Sequence, residues 1–74
     1  MNKLKSIIEW MQHQDNNGNY YSIIEELEEG IITLNEIIPA LINILSQWRK
    51  DLYKTNRQKY NSMIKMEIEL AAMI

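Results

Sequence analysis

Cysteine and phenylalanine are absent from the 74 residues, and glycine and proline together fill only three positions. Without cysteine there is no disulfide and no thiolate metal site, and a reducing compartment is the natural home. A single histidine, His13, cannot build a zinc site unaided. Two glycines leave no loop able to cradle a phosphate, and Ser6, Ser22, Ser46 and Ser62 fall in no nucleophile motif. Long hydrophobic runs are also missing. The most apolar stretch, residues 31–45, is too short to span a bilayer and carries Asn35, Glu36 and Asn43. At the start of the chain Glu9 interrupts the apolar patch that follows two lysines, and no small-residue cleavage site follows. These absences predict a cytoplasmic non-enzyme with no cofactor, no small-molecule substrate and no membrane partner.

What is present is aliphatic. Hydrophobic residues make up 46% of the chain and thirteen of them are isoleucine. Ile, Asn, Lys and Tyr, whose codons are AT-rich, suggest a low-GC bacterium or a phage or plasmid living in one. The length allows one domain, residues 1–74. A chain this small buries only about 60% of its unfolded surface, so its core needs a supplement. With disulfides and metals excluded, homo-oligomerisation is the expected one.

Hydrophobic periodicity supplies the helices. Leu4, Ile7, Ile8 and Met11 recur at helical spacing and predict a first helix over about 2–14. Asp15 to Asn19 (DNNGN) is dense in turn formers and reads as a loop. Apolar positions then resume at Tyr20, Ile24, Leu27 and Ile31. They continue through Leu34, Ile38, Leu41, Leu45, Trp48 and Leu52 in alternating steps of four and three, a heptad-like seam. Gly30 and Pro39 interrupt it, and Thr33 with Glu36 fits a capping box between them. The spacing predicts a second helix over about 19–29 and a third from 34 to about 53. One long helix bent at Gly30 and Pro39 is the rival. Beyond Leu52 no glycine or proline marks a turn, so the pattern slightly favours a continuing helix over a restart near Thr55 and Asn56. The expected fold is therefore all-α, a small bundle of three or four helices completed by homo-oligomerisation, with Leu34, Ile38, Leu41, Leu45, Trp48 and Leu52 as the oligomer seam.

Charge is unevenly divided. Residues 6–48 hold seven acids and neither lysine nor arginine, whereas residues 49–65 hold six bases against Asp51. If residues 48–66 are helical, Lys50, Lys54, Arg57, Asn61 and Lys65 share one stripe. The plainest reading is that acidic and basic helices pair with one another. A functional reading makes Arg49, Lys50, Lys54, Arg57 and Lys65 a phosphate-contacting surface for nucleic acid, with Trp48, Tyr53 or Tyr60 beside it. A net charge of −2 counts against that reading. Another makes Glu25, Glu26, Glu28 and Glu29 an acidic patch that mimics nucleic acid toward a protein partner.

Read from Asp15, the chain also resembles an EF-hand calcium loop. Asp15, Asn17 and Asn19 take its first, third and fifth positions and Glu26 its twelfth. Tyr20 stands where that loop needs glycine, and Ser22 where it needs an apolar residue. Trp10, Trp48 and the five methionines read first as packing residues, and second as a docking surface. Taken together, the residues predict a helical interaction protein that self-associates and binds another macromolecule, such as a phage- or mobile-element-encoded regulator or inhibitor of anti-defence type. A nucleic-acid-binding regulator comes second, a structural subunit whose only task is assembly third, and a degenerate calcium module fourth.

Overall fold

The computed structural model describes residues 2–74 and is all-α. Its helices are α1 (Asn2–Gln14), α2 (Tyr21–Glu28), α3 (Leu34–Arg49) and α4 (Arg57–Ala71). No strand occurs among the described residues. The chain groups into two compact units, Met1–Thr33 and Leu34–Ile74.

In the first unit, Leu4, Ile7, Ile8 and Met11 form the fully buried face of α1. This is the face that their helical spacing predicts. The turn into α2 is organised by Gln12, a residue whose role the sequence pattern did not expose. Its amide donates to the Gly18 carbonyl at 2.7 Å, and its carbonyl accepts the Tyr20 N–H at 2.7 Å. One side chain thus satisfies both ends of a loop that has no secondary structure to do so. At Gly18 an added Cβ would meet the Tyr20 ring, so a larger residue there would have to displace that ring.

The end of α2 has a specific cause. Gly30 takes φ 76°, its N–H donates to the Leu27 carbonyl, and the Ile31 N–H donates to the Glu26 carbonyl at 2.9 Å. These two bonds on a left-handed residue are a Schellman cap. The seam's phase is broken here, and Ile31, predicted to belong to it, is 64% exposed. The rival of one bent helix is thereby excluded. α3 begins at Leu34, directly after Thr33, where the capping-box reading placed it. Pro39 lies just past the first turn of α3 and on its exposed side. The helix therefore gives up one bond, to the Asn35 carbonyl, at a place where water can replace it.

In the second unit α3 packs on α4, with Ile38, Leu41 and Leu45 of one helix and Met63 and Leu70 of the other fully buried. Two expectations are corrected here. The helix does not run on past Leu52: α3 stops at Arg49, residues 50–55 form turns, and α4 starts afresh. The restart signal is Asn56, whose side chain accepts the Lys59 N–H at 3.1 Å as the N-cap of α4. A polar run without glycine or proline concealed it. The seam is corrected as well. Ile38, Leu41 and Leu45 are covered within the single chain, and Leu34, Trp48 and Leu52 are half-buried. Three of the six seam residues thus serve the chain's own core.

Replacing Asn56 with alanine removes the cap and is expected to cost about 1 kcal/mol, with Asn56→Asp recovering most of it. Urea unfolding of the three proteins checks this.

Candidate interaction surfaces

Arg49 closes α3 and is the centre of a chain of side chains in the second unit. Its Nε donates to Glu67 Oε2 at 2.5 Å and its Nη2 to Oε1 at 3.4 Å, a two-point ion pair from α3 to α4. The two side chains are only 24% and 13% exposed. Hydrogen bonding to Glu67 holds the guanidinium proton more firmly than usual, against the opposing effect of burial. Arg49 also donates from Nη1 to the Tyr60 hydroxyl at 3.4 Å and stands 5.5 Å from that ring's centroid.

From Tyr60 the chain continues outward. Tyr53 meets it edge to face, with centroids 5.2 Å apart and an interplanar angle of 81°. On Tyr53 lies Arg57, its guanidinium carbon 3.9 Å from the ring centroid and its Nη2 donating to the Tyr53 hydroxyl at 3.1 Å. The series Glu67, Arg49, Tyr60, Tyr53, Arg57 thus runs from a half-buried ion pair to an exposed cation.

This arrangement sorts the predicted basic residues. Arg49 is occupied by Glu67. Lys50 and Lys54 are exposed in the turn segment between the helices, while Arg57 and Lys65 are exposed on α4. The single helical stripe of five is therefore corrected, because residues 50–56 are not helical and only Arg57, Asn61 and Lys65 keep helical spacing. The structure instead gathers Lys50, Tyr53, Lys54 and Arg57 at one turn. No motif marks that grouping, because it depends on where α3 stops.

The acidic residues fall in the first unit. Glu25, Glu28 and Glu29 are exposed at the end of α2 and Glu26 is half-buried, and among the described residues none of the four is in an ion pair. Asp15 is used locally. Its Oδ1 accepts the Asn17 N–H at 3.2 Å and its Oδ2 accepts the Tyr20 hydroxyl at 3.0 Å. Since α2 is already formed at Tyr21, the seventh position of that reading, the run from Asp15 folds as a short loop followed by a helix. No three His, Cys, Asp or Glu side chains among the described residues are placed to share an ion. Burial, then the hydrogen bond and charge of Asp15, push the Tyr20 phenol above its ordinary value.

No helix among the described residues is long and apolar enough to cross a membrane. Compared with protein-family models, curated proteins and solved structures, the chain matches none.

Two measurements test this geometry. Glu67→Gln leaves Arg49 half-buried without its counter-charge. The expected cost is about 1–2 kcal/mol, above that of an exposed pair and below that of a fully buried one. Arg49→Met combined with Glu67→Gln should cost less than the sum of the two single changes. The second concerns pH. A phenol whose folded pKa lies above its unfolded value of about 10 keeps its proton longer in the folded chain. Its contribution is complete below pH about 10 and is lost as pH rises through the folded value. Urea unfolding from pH about 8 to 11.5 should show this loss, and Tyr20→Phe should remove it.

Proposed function

We propose that the chain is a non-catalytic interaction protein that works as a homodimer and regulates or inhibits a macromolecular partner by contact. The observation that carries the dimer is Ile68. It stands 65% exposed on the outer side of α4, in line with the exposed Asn61, Lys65 and Ala72. Ala71 beside it is exposed, and Ile74 beyond the helix end is 56% exposed. Ile68, Ala71, Ala72 and Ile74 together leave an exposed apolar patch toward the end of α4, which a helix-to-helix contact would cover.

The occupant that fits is a second α4 in antiparallel orientation. The helix is basic in its first part, with Arg57, Lys59 and Lys65, and acidic further on, with Glu67 and Glu69. A two-fold axis near Glu67 sets Lys65 of each copy opposite Glu69 of the other, with Ile68 near the middle of the contact. Parallel pairing would set like charges together. The partner contacts of such a protein belong to its exposed turns and charged patches. Its residue usage suits a phage- or mobile-element-encoded inhibitor.

Sedimentation equilibrium at micromolar concentration should give a dimer. Ile68→Glu should weaken it at least tenfold while leaving the helical circular dichroism unchanged, since the residue is exposed. A native chain that sediments as a monomer, or an Ile68→Glu variant that dimerises as well as the native chain, would sink the proposal.

A further inference from the structure

We infer that the turn joining α3 to α4 is a binding site for single-stranded nucleic acid, with Arg57 as the stacking platform and Lys50 and Lys54 as the phosphate contacts. The inference names a partner for the binding role proposed above and rests on that reading.

The argument begins with how Arg57 is held. An exposed arginine ordinarily samples many rotamers, and fixing one opposes binding by the lost entropy. Here the guanidinium is already placed over the Tyr53 ring at 3.9 Å and tied to its hydroxyl. Tyr53 is in turn braced by Tyr60, and Tyr60 by the Arg49–Glu67 pair. The outermost cation is therefore fixed through successive contacts to a half-buried ion pair. Its other N–H donors and its outer surface face solvent, since Arg57 is exposed and makes no ion pair among the described residues.

A guanidinium fixed over an aromatic ring offers a flat, polarisable surface on which an unpaired base can stack, and an edge that donates to phosphate. Tyr53, itself 51% exposed, extends that surface. Lys50 and Lys54 belong to the same turn, both exposed and in no ion pair among the described residues. Asp51 is the one acid within the turn. Arg49 adds no charge to the site, because Glu67 neutralises it. Attraction is thus local, as it must be in a chain whose net charge is −2. A duplex keeps its bases stacked inside and would meet only the cations. An acidic protein segment would likewise use the cations and gain nothing from stacking. The combination of a fixed guanidinium, an exposed tyrosine and two lysines favours an unpaired strand.

Fluorescence anisotropy with labelled single-stranded DNA and RNA of mixed sequence, about 16 nucleotides long, tests this on the full chain. Both strands should bind. With three cations engaged, affinity should fall roughly 20-fold as salt rises from about 50 to about 200 mM. Arg57→Lys keeps the charge but loses the stacking surface and should weaken binding about tenfold. Lys54→Glu, an exposed change remote from the core, should abolish it. Equal affinity for duplex DNA, effective competition by poly-glutamate, or an Arg57→Lys variant that binds like the native chain would each overturn the inference, as would no binding at the lowest salt. Sedimentation of the same samples reads the dimer separately. A dimer that ignores the strand defeats this inference alone, and a monomer that binds it defeats only the dimer.

Discussion

A guanidinium held half out of water needs a counter-charge, and the Arg49–Glu67 pair supplies it in the second unit. The pair joins the last residue of α3 to the body of α4. It therefore settles more than a few hydrogen bonds. Glu67 must face Arg49, which fixes the rotation of α4 about its own axis. That rotation turns Met63 and Leu70, four residues before it and three after, inward with it. The same rotation sends Asn61, Lys65, Ile68 and Ala72 outward. What the outer face presents is thus tied to the polar contact on the inner one.

The ion pair also divides the basic segment by use. Six bases between residues 49 and 65 look alike in the sequence, but they are not alike in the structure. Arg49 is neutralised, Lys50 and Lys54 are in the turn, and Arg57 is stacked on Tyr53. A cation already satisfied by a carboxylate offers little to a phosphate, whereas one resting on an aromatic ring keeps both its charge and most of its donors. Charge counting therefore includes one base, Arg49, that Glu67 neutralises, and does not show which arginine lies on a tyrosine ring. The tyrosines, first read as accompaniment, decide which arginine is presented to solvent.

How far the sequence could be read follows the range of the interactions involved. The buried face of α1 was legible because four apolar residues at helical spacing have only one consistent placement. The break at Gly30 was legible because a glycine after an amphipathic run is a strong local signal, and its φ of 76° explains why. The restart at Asn56 was not favoured, since asparagine in a polar run signals a cap only once the flanking helices are known to turn back. The seam misled for a related reason. Apolar periodicity shows that a face will be covered and is silent on what covers it, and for Ile38, Leu41 and Leu45 the cover lies within the chain. The clasp of Gln12 on the loop after α1 had no signal at all, because a glutamine side chain reaching six and eight residues ahead follows no repeating rule.

The two proposed surfaces meet α4 at different heights. Arg57 opens α4 and Ile68 falls eleven positions later, roughly 16 Å along the axis at helical rise. An antiparallel pairing about Glu67 does not cover the basic turn, because the turn lies at the far end of each helix from the centre of the contact. It places the two Arg57 residues roughly 30 Å apart along the paired axes. A strand spanning that distance would meet two stacking platforms, and its second contact would form at the effective concentration set by the first. Sites that are individually weak, as a short turn must be, gain from such geometry without any new contact. In the proposed dimer, self-association and strand binding would thus be separable in their chemistry yet reinforce one another through the length of α4.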